Sequence, residues 1–311
     1  MQAWLSENTL LLGLAALDGL SYAATVFMVA VGLNLVFGVL RILNVAHGSL
    51  FAIGGYVAAS LGLFIASRGL PAWLSLPALL LAAVLTGALL GPVIERLLLR
   101  RVEKQEPVLQ LLVTFALFMI LEDLQKLLWG VQPVVSDAPV RLLGTVDVPF
   151  GADVIPFTVY QLFVVPGVAL LTLLGLVWFL RRTLAGRMIV AVTEDREAAR
   201  AMGIDAARVT LLTFSAGAAL AALGGALASP TASLVPGVGA QTIVLSFAVV
   251  ATAGLGRVEG AAVTALLIGL GRAFAVYFEP ELEVVIPYII MVAVLLIRPQ
   301  GLFGVPETRR I

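Results

Sequence analysis

The sequence predicts an all-α polytopic membrane protein with eight or nine transmembrane helices, some of them broken by glycine. Three observations predict it. The 311 residues are 61% hydrophobic and only 12% charged, about half the charge of a typical soluble domain. Apolar runs recur along the whole length at roughly the 20 residues needed to cross a hydrocarbon core. The charges fall mostly between those runs. Short alternating segments of the kind that build a closed barrel are absent. The whole chain, 1–311, reads as one transmembrane domain.

Taken in order, the N-terminal MQAWLSENTLLLG lacks the positive n-region of a cleaved signal peptide and reads as an amphipathic lead-in. Spans are predicted near 20–40, 44–66, 73–95, 107–130, 158–180, 207–229, 241–256, 258–275 and 285–298. The first two can be one interrupted unit. The seventh and last are short enough to be half-helices or to rely on neighbours for cover.

Charge sets the orientation. Arg96, Arg100, Arg101 and Lys104 follow the third span. Arg181, Arg182, Arg187, Arg196, Arg200 and Arg208 lie between the fifth and sixth, and Arg298, Arg309 and Arg310 end the chain. The remaining loops hold only Arg68, Arg141 and the acidic EPELE at 279–283. The positive-inside rule makes the three basic segments cytoplasmic. Nine crossings then put the N-terminus outside and the C-terminus inside.

Two loops exceed an ordinary connector. The external loop 131–156 has prolines, β-branched residues and an FGAD turn, which predict a small hairpin. The internal loop contains AVTEDREAARAMGIDAARV. It predicts a compact helix at about 194–202 with Thr193 as N-cap. Glu194 and Asp195 then sit at the positive end of its dipole and Arg200 near the negative end. Gly203 supplies a left-handed stop. Ala198, Ala201 and Met202 make a flat face for a partner. A membrane-surface helix is the alternative, but its apolar wedge is weak.

Residues 32–48, GLNLVFGVLRILNVAHG, place Asn34, Asn44 and the only histidine, His47, among apolar residues. Polar groups at membrane depth face a bundle interior or a solute path. Asn44 and His47 would share a face on a helix. Hydrogen bonding between helices and contact with a solute both remain open for these three. Gly48, Gly54 and Gly55, and Gly217, Gly224 and Gly225, read as close-packing positions. Glu122 and Lys126 have ion-pair spacing. Arg272 needs an acidic partner or a route to the interface. Arg41 reaches the inner interface, and Arg257 and Glu259 sit in an inner turn as contacts for a partner subunit. Glycine breaks near 38–48 and 253–260 recur in the two halves, as in duplicated transporters.

Several chemistries are excluded. There is no cysteine and one histidine, which removes thiolate and multi-histidine metal centres. No broad basic surface suggests nucleic acid. Lys104 and Lys126 are the only lysines, and neither lies in GxxxxGK[ST], so ATP hydrolysis through a P-loop is ruled out for this chain. Glu122–Asp123 is the only acidic cluster within a predicted span, and it lies near one end, which disfavours an ion-coupled transporter.

GLNLVFGVLRILNVAHGSLFAIGGY at 32–56 resembles the signature of the branched-chain amino acid ABC transporter permeases, specifically the LivH type. LLWGVQP at 127–133, EDREAARAMGID at 194–205, AGLGRVEGAAVTALLIGLG at 253–271 and RPQGLFG at 298–304 resemble further segments of that family in the same order. The LivM type would have a longer N-terminal portion. The resemblance implies an ABC importer permease fold in a bacterial inner (cytoplasmic) membrane. It implies half of the path of a binding-protein-dependent importer for branched-chain or other hydrophobic amino acids. Related permeases carry urea, short amides or aromatic carboxylates on the same scaffold. The implied partners are a LivM-like second permease, two cytoplasmic P-loop ATPases that hydrolyse ATP with Mg, an external substrate-binding protein and membrane lipid. No cofactor is implied on this chain. The candidate path residues, read from their polarity and place in the stretch 32–48, are Asn34, Asn44, His47 and Gly48. The implied coupling segment, 186–205, includes Glu194, Asp195, Ala198, Arg200, Met202 and Gly203.

Overall fold

A computed structural model describes residues 8–150, 153–254 and 256–304. The N-terminal lead-in before residue 8, the tip of the FGAD turn, and Arg309 and Arg310 lie outside the described residues. Among the described residues, seven helices are long and apolar enough to cross a membrane. They include α1 (Thr9–Leu40), α2 (His47–Ser67), α3 (Ser75–Ile94, continued through a π turn at Glu95–Leu99 to Val102) and α4 (Pro107–Trp129). A short helix α5 (Ala138–Leu143) and strands β1 (Thr145–Phe150) and β2 (Asp153–Thr158) form the large connector. The strands pair antiparallel, with Thr145 opposite Thr158, so the expected hairpin is present. Then come α6 (Val165–Arg182, entered through a π turn at Tyr160–Val164), α7 (Leu184–Glu194), α8 (Arg196–Ala201), α9 (Ala206–Ala228), α10 (Val238–Ala253), α11 (Val258–Phe278) and α12 (Ile286–Ile297).

Each expected span meets a helix, with corrections at the ends. The first begins at Thr9 rather than near 20 and runs 32 residues. The charge at Asp18 hid its first turns, because a charge inside an apolar run reads as a boundary. As expected, α10 and α12 are short, at 16 and 12 residues. They rise only about 24 and 18 Å.

The basic segments gather at one end of the bundle. Arg196 pairs with Glu103, Arg181 Nη2 lies 2.6 Å from Glu259 Oε1, and Leu302 N–H donates to the Thr252 carbonyl at 2.8 Å. The hairpin marks the other end, where Val134 bridges Leu234 and Trp129 Nε1–H donates to Ser60 Oγ at 2.8 Å. Glu122 and Asp123 both pair with Lys126 near that end of α4. Large exposed apolar side chains such as Leu127, Leu171 and Leu296 cover the outside, as a lipid-facing surface requires.

The core is an inverted repeat. α1, α2 and α3 form one half, and α9, α10 and α11 the other. The first helix of each half packs on the third of the other. A Cβ on Gly87 of α3 would meet Ala219 of α9 as a Cβ on Gly269 of α11 meets Ala23 of α1. One turn on, Gly91 abuts Ser215 as Ala273 abuts Gly19. One register therefore relates both pairs. The recurring break lies at 41–46, within the expected 38–48, and at 229–237 rather than 253–260. The latter is a tight turn at the basic end, with Gly254 and Gly256 at φ +93° and +80°.

Candidate functional site

α1 ends when Arg41 adopts a left-handed conformation, φ 53°, and its N–H caps the Phe37 carbonyl. The chain then folds back into the bundle without helix. Non-helical backbone survives at membrane depth only if protein covers it. Ile42, Asn44 and Ala46 are accordingly buried. α2 begins beside the middle of α1, where His47 Nε2–H donates to the Val29 carbonyl at 3.3 Å. α10 also begins inside the bundle, and its Gly239 touches Gly48 of α2. Two helix N-termini thus meet near the centre of the fold.

The expected path residues separate. Asn34 is a clamp between elements: its Nδ2 donates to the Arg257 carbonyl at 2.8 Å, and its Oδ1 accepts from Gly256 N–H at 2.6 Å. Asn44 and His47 do not share a helical face, because Asn44 lies in the irregular linker and His47 opens α2. Both are buried. Neither amide atom of Asn44 nor Nδ1 of His47 meets a polar partner among the described residues. Gly48 is a packing position.

The helix expected at 194–202 is present but divided differently. Thr193 is not its N-cap: it belongs to α7, and its hydroxyl bonds back to the Ile189 carbonyl. Glu194 closes α7. Asp195 is the cap, its Oδ1 accepting from Glu197 and Ala198 N–H at 2.9 Å each. The extended Asp195, φ −148°, breaks what the sequence pattern read as one start. Arg200 falls in the last turn and Gly203 has φ +85°. Ala198, Ala201 and Met202 are exposed, Met202 to 84%. Arg196 is partly buried against Glu103. Burial first, and then the nearby charge of Arg200, pull its guanidinium below its ordinary value.

Two cavities flank opposite faces of α1. One, of about 500 Å³ at the basic end, is lined by Asn34, Arg41, Thr193, Glu194 and Arg257. The other, of about 530 Å³, opens toward the hairpin end and reaches down to Val29, Phe51 and Val238. Its wall carries Asp18, Tyr22, Arg272, Tyr277 and Glu283. Tyr277 hydroxyl donates to Asp18 Oδ2, and Arg272 donates to Glu283. The partner Arg272 needed is therefore Glu283, and its guanidinium also lies 4.0 Å from the Tyr22 ring centre. Sequence reasoning missed Asp18 and Tyr277; a charge inside the first apolar run was the available signal.

A helical bundle with two helix N-termini meeting at its centre and a polar cleft running to that point defines a multi-pass membrane transport protein. The chain belongs to the permease family described as "branched-chain amino acid transport system / permease component", whose family model matches residues 15–295. Its relatives are of the LivH type. The high-affinity branched-chain amino acid transport system permease protein LivH of Salmonella typhimurium is 28% identical over 300 residues, covering 94% of this chain and 96% of its own. BraD of Pseudomonas aeruginosa is 29% identical over 305 residues, with the same coverage. A probable LivH of Methanocaldococcus jannaschii is 29% identical over 296 residues, 91% of this chain and 90% of its own. No solved structure matches.

Proposed function

We propose that this chain is one permease of an ATP-driven, binding-protein-dependent importer and forms half of the path for branched-chain or other hydrophobic amino acids. The observation that carries this reading is α8, a capped and exposed helix of six residues set among the basic segments. It is too short to span a membrane and too polar to lie in lipid. Its Ala198–Met202 face offers small, flat contacts to a soluble partner. With no P-loop in the sequence, the energy comes from two cytoplasmic P-loop ATPases that hydrolyse ATP with Mg. Their closure pushes α8 and biases the bundle between outward- and inward-open states. The basic end is then cytoplasmic, which puts the C-terminus inside, the start of α1 outside, and the cleft facing an external substrate-binding protein. The two cavities are staggered about α1, which supports a LivM-like companion completing the path. The names of the relatives support the substrate class.

The test is co-purification of the ATPase subunits after expression of the neighbouring gene set, with ATPase activity in lipid as a second readout. Ala198→Arg with Met202→Glu is expected to release the ATPases while the permease stays folded. Full retention by the double variant would move the coupling surface elsewhere. If the folded wild type brings down no P-loop ATPase, the importer reading fails.

A further inference from the structure

We propose that the cleft at the hairpin end is a zwitterion site that takes a free hydrophobic α-amino acid, Asp18 holding its ammonium and Arg272 its carboxylate. As a stage of transport this rests on the importer reading, but the binding chemistry stands on the geometry.

Charges inside membrane-spanning helices are costly and point to function. Asp18 and Arg272 face one cavity of about 530 Å³ from α1 and α11. Arg272 lies over Tyr22, one helical turn from Asp18. Arg272 thus approaches α1 at the residue one helical turn from Asp18, and both charges line the same cavity, where one solute can meet both. Among the described residues Asp18 is met by a neutral hydroxyl, that of Tyr277, and by no ion pair. Arg272 has five N–H donors, and Glu283 engages its Nη2 end, leaving donors for a second carboxylate. Below this polar rim Val26, Val29, Phe51 and Val238 supply apolar wall beside Thr25, Gln241 and Thr242. An amino acid with an aliphatic side chain fits that lining, its two charges at the rim and its hydrocarbon against the valines and Phe51.

The inverted repeat supplies an internal comparison. Asp18 precedes Gly19 as Phe214 precedes Ser215, and Arg272 precedes Ala273 as Leu90 precedes Gly91. In the other half, therefore, phenylalanine and leucine hold the positions of the acid and the base. Phe214 is fully buried there against an apolar cluster with Leu50, Ile94 and Phe118. The scaffold closes without charges, so the acid and base in the open half are not a requirement of packing. An uncharged amide and a simple carboxylate would each leave Asp18 without a counter-charge. Both fit this cleft worse than a zwitterion.

The experiment is equilibrium binding to the purified permease–ATPase complex in nanodiscs, without the external binding protein. Three probes share one side chain: leucine, 4-methylpentanoate, which lacks the ammonium, and 3-methylbutylamine, which lacks the carboxylate. Leucine is expected to bind about tenfold or more tighter than either, as charge-assisted hydrogen bonds imply. Asp18→Asn should weaken leucine by a similar factor and spare 4-methylpentanoate. Arg272→Gln should weaken leucine and spare the amine. A merely structural role would weaken all probes alike and would overturn the assignment. So would unchanged leucine binding in both variants, or equal binding of the three probes by the wild type. ATP-driven leucine uptake by the same complex, moved into liposomes and supplied with the external binding protein, separates the two readings. Uptake without this binding pattern removes the site and keeps the importer, whereas the pattern without ATP-driven uptake keeps the site and removes the importer.

Discussion

Gly48 and Gly239 each occupy the space where the other's side chain would be. A Cβ on Gly48 would lie 2.2 Å from the Gly239 carbonyl oxygen, and a Cβ on Gly239 would lie 2.7 Å from that of Gly48. The obstacle is backbone on both sides, so no side chain can swing away. This contact joins the N-termini of α2 and α10 and with them the two halves of the repeat.

Gly48→Ala and Gly239→Ala are therefore each expected to cost about 1–3 kcal/mol, the usual range for overpacking, and to abolish transport by wedging the halves apart. Thermal unfolding in detergent reads the first effect and reconstituted uptake the second. Gly167→Ala is the control. Gly167 lies in α6 with nothing near its Cβ position, and alanine there should leave stability equal or raise it. A Gly48→Ala protein as stable as that control would mean the junction is looser than the contact distances state.

Two asparagines only ten residues apart should behave in opposite ways. Asn34 makes two part-buried hydrogen bonds to the 256–257 backbone, which Asn34→Leu removes. The expected cost is about 0.5–1.5 kcal/mol per bond. Asn44 has two buried amide atoms without polar partners among the described residues. Replacing it with an apolar residue of similar size removes a desolvation penalty, so Asn44→Leu should be neutral or stabilising. Thermal melts of both variants decide this. A large loss at Asn44 would show that its amide is satisfied in the working protein.

The helices were legible because lipid forces the sequence to declare them: apolar runs with charges between. The inner helix was legible for a similar reason, in Asp195, Arg200 and Gly203. Where reading failed, the cause is tertiary. Asp18 looked like a boundary because its partner, Tyr277, is 259 residues away. Arg272 looked unpaired because Glu283 lies beyond the end of its helix. Asn34 and His47 looked alike, yet a turn 222 residues on decides the first and the Val29 carbonyl the second. The repeat was misplaced because glycine marks both tight turns and close packing. Only the contacts tell Gly254, which turns, from Gly239, which packs.

The cap of α8 separates the structural boundary from the one the sequence pattern suggests. Asp195→Ala removes the acceptor for two N–H groups and should cost about 1 kcal/mol of local stability. In a helix of six residues that is enough to fray it. Hydrogen exchange at Glu197 and Ala198 should rise, and coupled ATPase activity should fall. Thr193→Ala should change neither, because the Thr193 hydroxyl bonds back within α7. The reverse result would restore Thr193 as the cap.

Arg196 and Glu103 tie the same helix to the bundle. Arg196 is the first residue of α8, and Glu103 follows the extension of α3 beyond its π turn. Both side chains are largely buried, 25% and 16% exposed, so the pair is poorly screened and directional. A push on α8 therefore reaches α3, which packs on α9 and the centre of the repeat, and the π turn is a natural place for that motion to bend. Arg196→Glu alone sets two carboxylates together, with Glu95 nearby as a third. It should uncouple transport from ATP hydrolysis and lower stability. Glu103→Arg alone should do the same by pairing like charges. The double swap restores opposite charges and should recover about 1–3 kcal/mol of coupling energy in a double-mutant cycle, together with part of the uptake. Additive losses in that cycle would mean the two residues are neighbours without being a link, and that force from α8 enters the bundle elsewhere.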